Sequence, residues 1–456
     1  MSSESIATAS ISVSGRARRQ SPAHARPKGP LLGRLASIGL LASILVSLLA
    51  ASSAPTPLYA LYQREWGFSP ITVTVVFGVY AVAVLVSLLI FGKISDHVGR
   101  RPVLVTALLG QALAMVAFID AGGVSTLLAA RVIQGLSTGA AVGALGAAML
   151  DIDPRRGGFL NSFAPTLGTA GGALVSGLVV QYLPAPTHLI YFLLLGVFVL
   201  QALAVLVLRE TVSRKPGAVA SMAPEIKLPA AARSSVAIAA PVMFAVWALT
   251  GLYGALGPAL SRTLEHSDAV VWGGLPLFVL AGSAGLSVLV LRRTATHLVM
   301  VTGIATLIAG VAISLVSIGS GAGGALSVAG FFVGAAVSGF GFGSGFQGGI
   351  RMVVPQVAPH ERSGVLSLLY VVCYLGLGVP AVIGGILVVH GGGLVQTARE
   401  YGLAVVVLAL LALAGLVLSG RSAQRVAVVR PVPAPRSEVT AAAQRSCMAD
   451  VAAQVD

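Results

Sequence analysis

Two short stretches of this chain place charged groups where their chemistry demands a partner. The first is Gly92-Lys93-Ile94-Ser95-Asp96-His97-Val98-Gly99-Arg100-Arg101-Pro102, one acid among several bases, framed by glycines. Gly92 suits a helix end, Gly99 a crowded or left-handed backbone, and Pro102 a helix start where its missing N–H costs nothing. The plainer reading of this tight turn is a solvated basic loop, which explains the arginines but not the acid or the glycines; the sharper one is that Asp96 seeks a positive helix N-terminus, and Arg100 or Arg101 an acid such as Asp151 or Asp153. The second stretch is Arg131-Val132-Ile133-Gln134-Gly135, inside a long apolar run and ~10 Å from its nearer end at 1.5 Å per residue. A guanidinium in hydrocarbon costs roughly 2.5 to 3.5 kcal/mol on insertion scales, so Arg131 must face a wet cavity or a partner. Asp120 is the nearest acid in sequence, and snorkelling outward or bracing Asp120 is the plainer reading. Handling of substrate or protons by Arg131, Gln134 and Asp120 is the sharper one. Metal, thiol and catalytic chemistry are not expected. The seven histidines are isolated, and Cys373 and Cys447 fall in an apolar run and a polar tail. No cofactor and no enzyme activity follow from these residues.

The elements that must position these groups are set by composition. The chain has 456 residues, of which 10% are charged and 56% apolar, whereas soluble domains carry about 25% charged residues. So few charges cannot solvate a globular surface of this size, and the bilayer is the expected solvent. Twelve apolar runs are long enough to cross ~30 Å of hydrocarbon: 35–57, 70–91, 102–121, 124–150, 158–182, 187–208, 235–258, 269–291, 298–318, 324–350, 364–390 and 401–420. The expected fold is therefore an all-α integral membrane protein with twelve transmembrane helices.

The net charge of +14 would suggest a nucleic-acid partner for a soluble chain. Counted by side, it becomes an address instead. With the N-terminus inside, 25 of the 29 Lys and Arg fall on the inner side, three fall outside (Arg64, Arg262 and Arg399), and Arg131 lies within a span. The positive-inside rule then puts both termini in the cytoplasm and the protein in the inner (plasma) membrane. Residues 1–32 resemble a leader peptide in being Arg- and Ser-rich, but the apolar run that follows completes the count of twelve. The tails, 1–32 and 421–456, are expected to be disordered cytoplasmic segments.

The longest polar interruption, 210–234, contains Pro216, Pro224 and Pro229 and divides the spans into six (33–209) and six (235–420). A faint repeat supports two related halves. Arg156-x-Gly158-x-Leu160 opens the fifth span, and Arg362-x-Gly364-x-Leu366 opens the eleventh, 206 positions later.

With these residues in place, the chain resembles the major facilitator superfamily. The loop between spans two and three is similar to that family's GxxxD(R/K)xGRR element through Gly92, Asp96, Gly99, Arg100 and Arg101, with His97 in place of the second base. Arg131, Gln134 and Gly135 match its RxxQG element, frequent among proton-coupled members. The equivalent loop of the second half, Leu291 to His297, has lost the acid and the glycines, and the antiporter bend of span five survives only loosely as Ala164-Pro165 to Gly171-Gly172. The resemblance implies two six-helix halves that rock about a central cavity, with a small-molecule substrate, protons as the coupling ion, and a chain working as a monomer in lipid. Electrostatics would then set Asp96 against the positive start of the eleventh helix near Ser363 and Gly364, and Arg100 or Arg101 against Asp151 or Asp153, latching the two halves on the cytoplasmic side.

Candidate cavity residues are the polar and aromatic side chains near mid-span: Tyr80, Asn161, Trp247, Thr250, Tyr253, Gln347, Tyr370 and Tyr374. They offer stacking faces and a few hydrogen-bonding groups. The spans expected around the cavity carry no Asp or Glu at mid-depth, which disfavours an organic-cation exporter. The reading is export of a neutral, amphipathic or anionic, drug-like compound, driven by protons. The alternative is a facilitator or proton symporter importing a metabolite.

Overall fold

The computed structural model describes residues 33–265, 269–319, 324–358 and 361–429. They fold into helices α1 (Arg34–Ser53), α2 (Tyr59–Trp66), α3 (Pro70–Phe91), α4 (Ser95–Val98), α5 (Arg100–Ile119), α6 (Val124–Ile152), α7 (Pro154–Tyr182) and α8 (Leu189–Leu206). After a linker come α9 (Arg233–Ala255), α10 (Gly257–Glu265), α11 (Val271–Val290), α12 (Thr296–Gly319), α13 (Ala325–Val353), α14 (Arg362–His390) and α15 (Gly393–Val429). Twelve are long and apolar enough to cross a membrane, and no strand occurs among the described residues. Large side chains such as Leu113, Leu200, Leu203 and Leu411 stand exposed on the outside, as lipid contact permits and water would not. The chain is a multi-pass membrane protein.

Local chemistry explains the boundaries. Asp153 caps α7 by accepting from the N–H groups of Arg155 and Arg156, both at 3.1 Å, with Pro154 at the first helical position. Gly99, at φ 105°, ends α4 and starts α5 in a conformation that a side chain would strain.

Four expectations need correction. The first span stops at Ser53 rather than 57, because Pro55 and Pro57 cannot continue a helix, and α2 follows as a separate short helix. The seventh likewise stops at Ala255, followed by α10, so each half opens with a long helix and then a short one at the same end of the bundle. The last helix begins at Gly393 instead of 401. Arg399 therefore lies inside it and donates to the Gly319 carbonyl at 3.1 Å, and buried Thr397 and Ala398 hold this first stretch against the protein. The expected tail 421–456 is helical through Val429. Its remainder and the tail 1–32 lie outside the described residues.

Apolar packing divides the bundle. One core runs from Ile38 to Leu208, the other from Ala232 to Leu416, and each takes one residue from across the divide, Val270 and Ala173, where α7 meets α11. Across that divide α3 packs on α14 and α7 on α11. These seams lie toward the end of the bundle opposite the chain termini, called here the far face; the end rich in Lys and Arg is the basic face. Close approach there depends on missing side chains. A Cβ at Gly78 would stand 2.9 Å from Val382 Cγ2, one at Gly274 would strike the Ala173 carbonyl, and one at Gly385 would collide with the Thr74 side chain.

Gly385→Leu is expected to wedge the far-face seam apart and cost about 1–3 kcal/mol, as overpacking does. Thermal unfolding in detergent reads the cost, and labelling of a Thr56→Cys variant by an impermeant thiol reagent reads the opening. Wild-type melting and labelling would show that the seam tolerates the side chain.

Candidate functional site

Between the halves lies a cavity of about 870 Å³. Phe77, Thr56 and Leu377 line it toward the far face, while Arg155, Arg292, Arg293 and Arg351 line it at the basic face, where it opens. Above it, Phe77 and Ala81 of α3, Ala255 of α9, and Leu377 and Ala381 of α14 form a small apolar plug. The structure is therefore closed at the far face and open at the basic one.

At the centre stands Trp247, with ring centroids 5.0 Å from Tyr374, 5.8 Å from Phe346 and 6.2 Å from Phe342. Trp247 and Thr250 share one face of α9, and the face continues to Gly254, which lets the Phe77 ring approach. Trp247 Nε1 and Gln347 Oε1 are buried without a protein hydrogen-bond partner, a donor and an acceptor left at the cavity wall. No Asp or Glu is among the described lining residues, so the lining is aromatic and apolar with a positive rim.

Of the residues expected from sequence, Tyr80, Asn161, Trp247, Thr250, Gln347 and Tyr374 line this cavity. Tyr253 and Tyr370 do not. Six residues beyond Trp247, Tyr253 points about 240° round the helix into the core of its own half, bonding Ser314 Oγ at 2.8 Å and stacking on Phe331 at 5.6 Å. Tyr370 sits half-buried one turn nearer the basic face, outside the lining. Sequence reasoning missed Phe77, Phe159, Phe342 and Phe346 and the four rim arginines. Phe342 and Phe346 carried a signal, an i, i+4 aromatic pair in a span otherwise crowded with glycine. The arginines look in sequence like ordinary loop charges.

Arg131 is fully buried rather than snorkelling. Its Nε donates to Tyr59 Oη at 3.0 Å and its Nη1 to the Ser52 carbonyl at 2.9 Å and Gln134 Oε1 at 2.7 Å, while Nη2 also reaches Tyr59. Gln134 passes the chain on to the Ala51 carbonyl at 2.9 Å. The guanidinium also lies 5.2 Å from the Tyr80 ring centroid, 5.6 Å from Tyr59 and 5.7 Å from Phe118. Asp120 is exposed at the end of α5 and takes no part, so the expected trio is brought together only as Arg131 and Gln134. Ser52 and Tyr80 touch Arg131 on one side and the cavity on the other, leaving one layer of protein between them.

In the loop between α3 and α5, Asp96 does not reach the start of α14. It pairs instead with Arg100 at 2.5 Å, and Arg100 also meets Asp151 at 3.3 Å. The halves stand apart at this face, so the acid takes the base nearest it. The linker bridges the gap. Glu210 accepts from the N–H groups of Arg100 at 2.8 Å and Arg101 at 3.0 Å, capping α5, while Glu225 binds Lys93 at 2.5 Å and Lys227 packs against Gly364 of α14. Lys93 holds the Glu225 carboxyl below its ordinary range, and the capped N–H groups of α7 do the same for Asp153.

Two bundles of membrane-crossing helices enclosing a cavity open at one face have the architecture of a membrane transporter. The Major Facilitator Superfamily profile matches residues 40–335, and the chain belongs to that family. Over 132 residues, 28% of this chain, it is 30% identical to the uncharacterized MFS-type transporter YybF of Bacillus subtilis (strain 168), a match spanning 32% of that protein. Two crystal structures of the nucleoside transporter NupG, one of them a point mutant, superpose with TM-scores of 0.63 and 0.64. Each covers 84% of this chain and 99% of its own at 14% identity, a likeness of fold.

Arg131→Lys is expected to behave as a loss rather than a conservative change. An ammonium cannot reach Tyr59, Ser52 and Gln134 together as the planar fork does, and each lost charge-assisted bond is worth about 1.5–3 kcal/mol. A melting temperature equal to wild type would remove the case for the fork. The Lys93–Glu225 contact has a defined pH sense. Because the carboxyl is held low, its contribution is complete above the ordinary glutamate range and disappears only as pH falls through the lowered value. Proteolytic nicking of the linker should rise in acid for the wild type, and Glu225→Gln should show the open level at every pH.

Proposed function

We propose that this chain is a secondary active transporter carrying a small neutral, amphipathic or anionic organic solute by alternating access, with protons as driving ion and export as direction. The observation that carries the reading is the cavity lining: aromatic at the centre, without acids, and ringed by arginines at its mouth. A cation would find no charge partner there. An anion is drawn to the mouth, and an apolar body stacks on Trp247, Tyr374 and Tyr80. Trp247 Nε1, Gln347 Oε1, Asn161 and Thr250 supply the polar contacts.

In this reading the two bodies, 33–209 and 235–420, rock about the cavity. The basic face is cytoplasmic by the charge rule, so the cavity opens where an exported compound is collected. The loop of Gly92, Asp96, Gly99, Arg100 and Arg101, with Asp151, is the latch that re-forms across the halves when that face closes. Arg131 and Gln134 sit one residue layer from the bound solute, close enough for charge in the cavity to act on them. Asp120, exposed at the end of α5, shares no hydrogen bond or ion pair with Arg131.

A second reading, import by a facilitator or proton symporter, draws support from the fold shared with a nucleoside transporter. A nucleoside is neutral and carries a flat base of the kind that Trp247 would stack. Proteoliposomes with an imposed pH gradient separate the two: proton release on adding solute marks antiport, and acidification of the lumen marks symport. In either direction Trp247→Ala should raise KM about tenfold, the equivalent of ~1.4 kcal/mol of lost aromatic contact, and Trp247→Phe should recover most of it. Preferential transport of an organic cation over its neutral isostere would overturn the cavity argument.

A further inference from the structure

A second groove, of about 620 Å³, lies on the outside of the bundle where α3 and α14 meet, with α6 as its wall. Its lining is aliphatic throughout except for Tyr374, and Val82, Leu136 and Val379 in it are 56%, 36% and 47% exposed. These helices cross the membrane, so hydrocarbon covers this surface.

Tyr374 is the one described residue that lines both this groove and the central cavity. Its position follows from the seam. Near Gly78 and Gly378 the helices approach closely: a Cβ on Gly378 would lie 3.4 Å from Ala81 Cβ and 3.8 Å from the Gly78 carbonyl oxygen. One turn from Gly378 toward the basic face stands the Tyr374 ring, which borders the groove and the cavity alike. On its inner side that ring packs against Trp247 at 5.0 Å. Tyr374 therefore borders both the arginine-mouthed, aromatic cavity and the groove that faces the bilayer.

We propose that this groove is a lateral port, gated by Tyr374, through which the hydrocarbon chain of an anionic amphiphile passes between the bilayer and the central cavity. The proposal rests on the transport reading above and narrows its substrate class. Charge and shape assign the two ends: the anionic head to Arg155, Arg292, Arg293 and Arg351, the alkyl tail to the aliphatic groove. Entry from lipid suits such a molecule because its tail never has to cross water.

Trp247 reports on the gate, because the chain has only two other tryptophans, Trp66 and Trp272. With both replaced by Phe, the protein is placed in phosphatidylcholine vesicles and titrated with dibromostearate, a single-chain anion whose bromines quench at short range. Saturable quenching of Trp247 is expected. Val82→Phe with Val379→Phe, which fills the groove from the lipid side without touching the cavity, should abolish most of that quenching while leaving quenching by aqueous acrylamide unchanged. Tyr374→Ala should raise quenching by chain-brominated phosphatidylcholine about twofold, since the ring that borders both Trp247 and the groove is gone. Stearate quenching that is linear in mole fraction, or that survives groove filling, would mean surface lipid or entry through the aqueous mouth, and either overturns the port. The two readings fail separately. Solute transport with no groove-dependent quenching removes the port alone, and groove-dependent quenching with no transport of any solute removes the transport reading.

Discussion

Helices in a bilayer gain nothing by hiding apolar surface from one another, because the lipid is as apolar as they are. What holds them is close approach, and the architecture depends on where the sequence permits it. Within the second half, α12 and α13 interlock through Gly303, Gly310, Gly341 and Gly345, with Ser338 and Ser344 between them. Within the first, Gly135 and Gly139 let α6 lie on the α3 backbone near the Tyr80 and Val84 carbonyls. Between the halves, close contact gathers at Gly78, Gly378 and Gly385 on one seam and at Gly274 and Gly285 on the other. Small residues thus weld each half along its length but join the halves mainly toward the far face, and the cavity occupies what remains.

That distribution cannot be mapped from glycine positions in the sequence alone, because each close approach needs a particular neighbour. Sequence reasoning recovered twelve spans, most within a few residues, since hydropathy over 20 residues measures the solvent directly. It missed α2 and α10, which are too short and too polar to register as spans and whose amphipathic faces make sense only against a neighbour. Six of eight proposed cavity residues line the cavity because polar and aromatic groups at mid-span have few other places to go. Tyr253 broke the rule by finding Ser314 inside its own half, and no pattern in one sequence distinguishes a tyrosine bonded to a neighbouring helix from one facing a cavity. The latch loop showed the same limit. Its ion pairs were foreseeable as chemistry, but the partner of Asp96 was not: it is Arg100, four residues along the same loop.

Arg131 shows how a membrane interior tolerates a charge without a counter-ion. Insertion costs of a few kcal/mol are offset by three oxygen acceptors and three aromatic faces, an arrangement that spreads the charge rather than neutralising it. A buried carboxylate would have silenced the guanidinium. Left with neutral partners, its field extends beyond the first contact, and beyond Ser52 and Tyr80 lies the cavity.

The placement of that network bears on how the halves could communicate. Every one of its members, on α1, α2, α3, α5 and α6, belongs to the first half, so none of its bonds crosses the seam between the halves. Gly135, the last residue of the Arg131–Gly135 element, secures this by seating α6 against the Tyr80 carbonyl. A rocking motion would therefore leave Arg131 its partners and change only what stands across the cavity from Ser52 and Tyr80, namely α9 and α14 with Trp247 and Tyr374. Coupling of cargo to conformation, as proposed above, would then need no chain of breaking bonds, only a fixed positive charge behind one residue layer and a cavity whose contents and opposite wall alternate in front of it.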